Sequence, residues 1–216
     1  MLIVYYVFLK RRDLMRIYFS YFKLLSCIAL IFFTACATIP KLEVAYNTMP
    51  KSNILEGKEI YFRFIDKRVN KDIIGNGAKR IYKNFSGNIN YILSKGKKER
   101  FLVGIYDIET FFKKTFTLYL ENMGLQLVPE RKEGIPELAI KLYDFTLDLP
   151  GRSWIARIDY EAEFTQEGNV LTRRFKGQAE KFRISGIKQA HQVMSETFND
   201  VVHKLDVKGL FADISK

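Results

Sequence analysis

The sequence predicts an α/β fold of the α+β kind: a two-layer sandwich with a mainly antiparallel sheet and two amphipathic helices on one sheet face. Three observations lead to this prediction. Long segments in the C-terminal half alternate apolar and polar residues, as half-buried antiparallel strands do. Two other segments repeat apolar residues every three or four positions, as amphipathic helices do. Since each helix has one apolar stripe, a single sheet face can bury both.

The predicted domain begins with a strand over residues 59–65, where apolar and polar residues alternate. Residues 66–100 are polar and basic, and we expect them to form a long connection. A second, apolar strand follows at residues 101–106 and is expected to belong to the core. It leads directly into the first helix.

The first helix is predicted over residues 108–123. Asp107 is a good N-cap, because its side chain can accept a hydrogen bond from a backbone N–H of the first turn. Gly124 stands just after the helix, where glycine is favoured because the backbone adopts a positive φ. A short strand over residues 125–128 follows and ends at Pro129.

The clearest strands lie in the second half of the domain. The first of them, 137–149, changes its apolar phase near residues 142–143, which predicts a β-bulge. The next, 154–165, has its apolar residues on one face. It is expected to form a hairpin with a weaker strand, 170–183, through a turn at residues 167–169.

The last helix is expected to follow Ser185 and to extend to Leu205, because apolar residues recur there at three and four positions. The predicted order of elements is therefore β-β-α-β-β-β-β-α. The side chains expected in the core are Phe112, Phe116, Trp154, Tyr160, Phe164, Met194 and Val201. For Trp154, Tyr160 and Phe164 the alternative is an exposed aromatic patch that contacts a partner.

The N-terminal segment has the features of an export signal. Basic residues precede twelve uncharged, mostly apolar residues, 24–35, and Cys36 follows directly. A small residue before a cysteine at this place is similar to the lipobox of bacterial lipoproteins, in which the cysteine becomes the acylated N-terminus. Residues 1–35 are therefore predicted to be a lipoprotein signal peptide. Translation could start at Met1 or at Met15.

Other interpretations of the N-terminus are weaker. Cys27 also ends a lipobox-like sequence, but cleavage there would leave an apolar N-terminus. A transmembrane helix needs about 20 apolar residues, and Lys23 interrupts any longer apolar run. Residues 36–58 contain Pro, Asn, Ser and Gly without periodicity and are predicted to be a tether. Residues 59–216 are predicted to form a single domain.

These features predict a location in the cell envelope, with the protein anchored by lipid to the periplasmic face of the outer membrane. Ala37 follows the acylated cysteine, whereas an aspartate there would indicate retention in the inner membrane. Composition excludes other classes of protein. The chain is 48% hydrophobic and 14% aromatic, which is too apolar for a disordered chain, and its two cysteines are too few for a disulfide scaffold.

Positive charge is concentrated in one segment. Net charge is +11 for the chain and +7 for residues 36–216, and residues 66–100 alone hold ten basic against three acidic residues. Such a segment attracts anions, which at an envelope are anionic lipids or lipopolysaccharide, whereas nucleic acid is not expected there. A solvated loop kept soluble by its charge is the more common case for such a segment and is the favoured interpretation. The candidate anion-binding residues are Lys79, Arg80, Lys83, Lys95, Lys97, Lys98 and Arg100.

No catalytic residue, metal site or cofactor is predicted. His191 and His203 lie twelve residues apart on the last helix, about 18 Å, which is too far to hold one ion, and both are expected at the surface. Residues 74–77 contain two glycines without the spacing of a phosphate loop and are expected to form a turn. Ser153 lacks the glycine pattern of a nucleophile elbow.

Several short motifs occur in an order that resembles a known family. The motifs are Asp66-x-Arg68, Ile74-Gly75, Glu121-Asn122-Met123-Gly124-Leu125, Gly168-Asn169 and the closing helix from Ala190. Together they span most of residues 58–205 and resemble the YajG-like uncharacterised bacterial lipoproteins. The resemblance implies an envelope lipoprotein with no established activity, and it supplies no catalytic residues.

The sequence favours a non-catalytic binding or accessory lipoprotein that contacts an envelope protein or an anionic lipid. A lipid-anchored hydrolase and a purely structural tether are the alternatives. A nucleophile or a buried pair of carboxylates in a pocket would favour the hydrolase, whereas a flat basic or apolar surface would favour the binding protein.

Overall fold

The computed structural model describes residues 40–95 and 99–214. All of them belong to one of the two units into which the chain divides, Ile39–Lys216. The predicted signal peptide, residues 1–35, and the predicted acylation site, Cys36, lie outside the described residues.

Eight strands and three helices make up the described part of the chain. The strands are β1 (Leu42–Asn47), β2 (Glu59–Asp66), β3 (Ile89–Lys95), β4 (Glu99–Tyr106), β5 (Gln126–Val128), β6 (Glu137–Asp148), β7 (Ser153–Gln166) and β8 (Asn169–Phe182). The helices are α1 (Ile108–Asn122), α2 (Ile187–His203) and α3 (Val207–Ile214). The predicted order contained all of these except β1, β3 and α3.

The strands form two sheets. The larger has the order β5-β2-β6-β7-β8, and the smaller has the order β1-β3-β4. The pairs β3–β4, β6–β7 and β7–β8 are antiparallel, whereas β1–β3, β2–β5 and β2–β6 are parallel. The antiparallel pairings are the longer ones, so the predicted α+β sandwich is confirmed. The division into two sheets was not predicted.

Both long helices pack on one face of the larger sheet, as predicted. The ring centroid of Phe116 in α1 lies 5.6 Å from that of Tyr160 in β7. The hydroxyl of Tyr160 donates a hydrogen bond to the carbonyl of Val201 in α2 at 2.7 Å. Phe112 and Phe198 join the two helices, with ring centroids 5.5 Å apart. All the side chains expected in the core are buried.

The ends of α1 are those predicted. The Asp107 carboxylate accepts a hydrogen bond from the Thr110 N–H at 2.7 Å and so caps the first turn. Gly124 has a φ of +93°, and a Cβ there would lie 3.0 Å from the backbone nitrogen of Glu56. Both the backbone conformation and this close approach therefore require glycine.

The long strands also follow the prediction in detail. The β6–β7 register shifts between Leu142 and Asp144, where the bulge was expected. Glu167 and Gly168 both have positive φ, which suits a tight hairpin turn between β7 and β8. Gly177 in β8 brings α2 close to the sheet, because a Cβ there would lie 2.4 Å from Cγ1 of Val201.

The prediction of a tether over residues 36–58 was wrong in part. Residues 42–47 form β1, which pairs in parallel with β3. Leu42, Val44 and Tyr46 alternate along β1 and are fully buried. This alternation covers only six residues, and its stability comes from a partner strand more than forty residues away in the sequence. For that reason the local pattern did not reveal it.

The prediction of one long connection over residues 66–100 was also wrong. The segment contains β3, and most of its buried apolar side chains belong to the main core. Those side chains are Ile73, Ile74, Ala78, Tyr82, Ile89 and Tyr91. Residues 66–88 are mostly charged or polar, and the uncharged part of β3 is only six residues long, so the composition of the whole segment indicated a solvated loop.

The C-terminal end contains two helices where one was predicted. Helix α2 ends at His203, and the buried Leu205 lies in the turn that leads to α3. Phe211 of α3 packs against Phe164, with ring centroids 4.8 Å apart. None of the helices in the described part of the chain is long and apolar enough to cross a membrane.

Candidate functional site

Five of the seven predicted anion-binding residues lie in the described chain, all of them exposed. They fall into two groups on different elements, one on the turns that precede β3 and one at the β3–β4 turn. The first group is Lys79, Arg80 and Lys83, and the second group is Lys95 and Arg100. Lys97 and Lys98 are outside the described residues.

Two residues of the first group, Lys79 and Lys83, border a cavity of about 490 Å³. Nζ of Lys79 lies 3.0 Å from Oδ2 of Asp72, so the charge of Lys79 is partly neutralised. Among the described residues, Arg80 and Lys83 have no ion pair. Tyr82, which lines the cavity, is buried in the core. The group is therefore attached to the core and does not lie on a solvated loop.

Other basic residues of the segment have a structural role. The guanidinium of Arg68 is buried, and its Nη2 lies 3.0 Å from Oδ2 of Asp66. Lys71 contacts the same carboxylate oxygen at 3.1 Å. Burial acts to raise the pKa of Asp66, but hydrogen bonds from Arg68 and Lys71 outweigh it and hold that pKa below its ordinary value. The Asp66-x-Arg68 motif is thus a local ion pair.

The second group lies on the β3–β4 hairpin. Lys95 stands opposite Glu99, and Arg100 stands opposite Ser94. Within residues 40–95 and 99–214, neither Lys95 nor Arg100 takes part in an ion pair. Their charges are therefore available to a ligand or to a charged surface.

A groove of about 410 Å³ lies next to Arg100, between the smaller sheet and α2. Arg100 and Lys188 line it and have no ion pair in the described chain, whereas Nδ1 of His191 lies 3.7 Å from Oε2 of Glu43. Acidic and basic side chains thus share the groove, so its charge selects no single class of ligand. The other lining residues are Ala45, Asn47, Ser94, Gln192, Ser195, Glu196 and Asn199.

Helix α2 supplies hydrogen-bond partners to the edge of β1 that faces away from β3. The Ser195 hydroxyl accepts a hydrogen bond from the Ala45 N–H at 2.9 Å. The Asn199 side chain accepts one from the Asn47 N–H at 2.6 Å and donates one to the Ala45 carbonyl at 2.7 Å. We name the residues that contact β1 in this way the polar stripe of α2; they are His191, Ser195, Asn199 and His203.

The spacing of the polar stripe matches the spacing of the strand. Four residues of an α-helix rise about 6.0 Å, and two residues of a strand about 6.6 Å, so every fourth helix residue meets every second strand residue. Polar residues at every fourth position, beside an apolar stripe, were the signal in the sequence that could have revealed this contact.

The prediction that both histidines lie at the surface was wrong. They are partly buried against β1, where Nε2 of His191 lies 2.9 Å from the Lys41 carbonyl and Nε2 of His203 lies 3.1 Å from the Asn47 carbonyl. Burial lowers the pKa of His191, although Glu43 and the hydrogen bond to Lys41 oppose the shift. Burial also lowers the pKa of His203.

We expect the protein to lose stability as the pH falls below about 6.5, the ordinary pKa of histidine. Because the folded state lowers the pKa of both histidines, the unfolded state binds more protons in this window, and protonation favours unfolding. Asp66 has the same sign of effect but acts only at more acidic pH. Urea denaturation at a series of pH values measures the dependence.

The control for this prediction is the variant His191→Gln/His203→Gln, whose amides can still donate hydrogen bonds to the same carbonyls. Its free energy of unfolding should change less between neutral pH and the acidic end of the histidine window. An equal slope in both proteins would show that the two histidines do not cause the dependence.

The groove places a serine and a histidine near each other without a nucleophile–base pair. The Ser195 hydroxyl donates a hydrogen bond to the carbonyl of His191 at 2.7 Å, and the ring of His191 contacts the Lys41 carbonyl and not the serine.

Neighbouring acidic side chains on the larger sheet are engaged in ion pairs. Glu161 and Glu163 both pair with Lys141. Within the described part of the chain, no group of three or more His, Cys, Asp or Glu side chains could hold a metal ion.

Fold and site together define an α+β protein with two sheets, a basic hairpin and a polar groove beside it. No family model matches the chain, and no curated protein matches it. Solved structures do match. The protein XCC0632 from Xanthomonas campestris, assigned to DUF330, is 12% identical; the match covers 74% of this chain and 91% of that one, with a TM-score of 0.42.

Two further solved structures are similar to this chain. The PelC dodecamer from Paraburkholderia phytofirmans is 11% identical, with 71% of this chain and 94% of that one covered and a TM-score of 0.30. Lipoprotein GNA1162 from Neisseria meningitidis is 10% identical, with 68% and 99% covered and a TM-score of 0.27. Likenesses this distant transfer neither an assembly nor an activity, and the resemblance to the YajG-like family stays a prediction.

Proposed function

We propose that this chain is a lipid-anchored accessory protein of the cell envelope, held through Cys36 at the periplasmic face of the outer membrane. In this proposal it binds an anionic surface and does not catalyse a reaction. One observation carries the proposal. Lys95 and Arg100 are exposed and lack ion pairs in the described chain, and Lys97 and Lys98 lie between them in the sequence. The ligand is the phosphate-rich surface of anionic lipid or of lipopolysaccharide.

The position of β1 supports an action close to the membrane. Since β1 begins at Leu42, only six residue steps separate it from Cys36, and a fully extended chain of that length spans about 20 Å. The predicted tether would have allowed several times this distance. The β3–β4 hairpin lies beside Asn47, at the end of β1 that is opposite to Leu42 and about 17 Å along the strand. A domain attached by so short a tether keeps this hairpin within reach of lipid head groups when the smaller sheet lies along the membrane.

The environment of the groove supports a non-catalytic function. Both the Ser195 hydroxyl and the His191 ring are engaged with backbone groups, so the groove lacks the nucleophile–base pair that a hydrolase of this kind requires. An envelope protein could also bind the basic hairpin, and competition with anionic vesicles separates this case from lipid binding.

We expect Cys36→Ala to block processing. The variant should keep its signal peptide, because the lipobox cysteine is the residue that is acylated before cleavage. Mass spectrometry of the wild-type protein should show a mature chain that begins at Cys36 and carries acyl groups. A mature N-terminus at any other residue would contradict the proposed anchor.

We expect the domain without its anchor, residues 37–216, to bind vesicles that contain anionic lipid or lipopolysaccharide. Each Lys or Arg near such a surface contributes about 1 kcal/mol. Binding should therefore fall by more than about tenfold when four of them are replaced by Gln, and it should weaken as salt is added. The replaced residues are Lys95, Lys97, Lys98 and Arg100.

The matched control removes the same charge elsewhere. The control variant replaces four other exposed basic residues by Gln, and none of the four has an ion pair in the described chain. They are Lys51, Lys132, Arg152 and Lys208. If the control variant loses as much binding as the hairpin variant, net charge is responsible and the hairpin is not the site. Equal binding of the wild type to neutral and anionic vesicles would also contradict the proposal.

A further inference from the structure

Strand β4 exposes a run of large apolar side chains. The exposed fraction is 55% for Phe101, 62% for Leu102, 40% for Val103 and 55% for Ile105. Elsewhere in the described part of the chain, exposed large apolar residues occur singly or in a spaced pair. A contiguous run of this kind on a soluble domain marks a surface that contacts a partner or a membrane.

The edge of β4 is poorly suited to pairing with another strand. β4 is the last strand of the smaller sheet in the described chain. Its register with β3 shifts, so that Tyr91 pairs with Gly104 and Ile92 with Leu102, and Val103 bulges out between them. Bulges of this kind disrupt the hydrogen-bonding pattern of an edge and protect it from strand addition. The exposed surface of β4 is therefore one of side chains.

Basic residues lie at both ends of this surface. Lys95 and Arg100 stand at the hairpin end. At the other end, Nζ of Lys114 lies 5.1 Å from the ring centroid of Tyr106. The nearby acidic residues are Glu99, Asp107, which caps α1, and Glu109, which pairs with Lys113.

We propose that β4 is a lipid-contacting edge, whose apolar side chains enter the boundary between head groups and acyl chains of an anionic bilayer while Lys95, Arg100 and Lys114 contact the lipid phosphates. Phe101 and Leu102 point to opposite faces of the sheet, because they pair with successive residues of β3. The edge itself, and not one sheet face, therefore meets the lipid. Apolar side chains flanked by basic ones are the composition that binds the interface of anionic membranes.

This inference rests on the proposed function for the presence of the membrane and adds the orientation of the domain on it. β1 and β4 belong to one sheet of three strands, so with strands about 4.8 Å apart β4 lies about 10 Å from β1. The tether at the start of β1 holds the domain by one end of this sheet. The sheet can therefore bring its β4 edge down to the bilayer without extending the tether.

The test uses the full chain, processed and acylated, in vesicles of phosphatidylcholine and phosphatidylglycerol. A single cysteine is introduced by Leu102→Cys, Lys95→Cys or Val170→Cys and is labelled with an environment-sensitive fluorophore. Val170 is the matched control, because its side chain is apolar and 60% exposed. Processing at Cys36 removes Cys27 and acylates Cys36, so the label has one thiol to react with. Lipids carrying a quencher in the acyl region or in the head group report depth.

We expect acyl-region quenchers to reduce the fluorescence at position 102 several-fold more than at position 170, and head-group quenchers to act at position 95. If position 102 behaves like position 170 while position 95 is still quenched, the lipid-contacting edge is wrong and the proposed basic contact stands. If neither 95 nor 102 is quenched, both are wrong. Oxidative crosslinking between two Leu102→Cys chains without acyl quenching would show that a second copy covers β4.

Discussion

Replacing Phe116 by alanine is expected to lower the free energy of unfolding by about 3–5 kcal/mol, the cost of deleting a buried aromatic side chain. Phe116 is fully buried. Its ring lies 5.6 Å from that of Tyr160 and 6.1 Å from those of Phe62 and Phe112, measured between centroids. Because these neighbours come from two strands and from α1 itself, the cavity left behind cannot close by the movement of one element. Urea denaturation followed by circular dichroism measures the change.

The matched control is Phe101→Ala, which deletes the same side chain from the exposed edge of β4. With 55% of Phe101 exposed, this change should cost less than about 1 kcal/mol. A small effect at Phe116 would mean that the layer between α1 and the larger sheet is not closely packed. A large effect at Phe101 would show that β4 stabilises the isolated domain, which would weaken the argument that its side chains serve a membrane contact.

Elements defined by local signals could be predicted from the sequence. Helix α1 combines a capping aspartate, an apolar stripe and a glycine with positive φ, and all three act within its own residues. The hairpin of β7 and β8 alternates buried or half-buried with more exposed residues over long strands and turns at Glu167 and Gly168. Even the bulge after Leu142 could be inferred, because a change in apolar phase has no other simple cause.

Elements that depend on distant partners could not be predicted in the same way. β1 is six residues long, and one of its edges is satisfied by β3 while the other is satisfied by side chains of α2. Parallel pairing leaves no hairpin turn in the sequence. The division of the strands into two sheets follows from this pairing, so the prediction of a single sheet missed it.

The candidate site shows the same limit. The sequence identified the basic residues but not their grouping, because it could not tell which carboxylates lie close to them. Arg68 is neutralised by Asp66, whereas Arg100 has no ion pair in the described chain. The exposed apolar run of β4 was predicted as a core strand, since its composition is that of a buried strand. Only its position at a sheet edge distinguishes the two cases.

Replacing Asn199 by alanine is expected to lower the free energy of unfolding by about 2–4 kcal/mol, because it leaves two backbone groups of β1 without partners. The Asn199 amide is buried and bonds the Asn47 N–H and the Ala45 carbonyl. No other side chain of the polar stripe bonds both a donor and an acceptor of the β1 backbone. A simple loss of helix propensity cannot produce an effect of this size, since alanine is the best helix former.

The control is Asn76→Ala, which removes an exposed asparagine without a side-chain hydrogen bond in the described chain and should change stability by less than about 0.5 kcal/mol. Hydrogen exchange can then locate the effect of Asn199→Ala. If the polar stripe holds β1 in place, the amides of Ala45 and Asn47 should lose more protection than those of β7, which should lose only as much as the global free energy of unfolding falls. An equal loss of protection in β1 and β7 would show that the substitution does not act on β1 in particular. Since β1 is the first element after the proposed anchor, its loss would also lengthen the tether between that anchor and the rest of the domain.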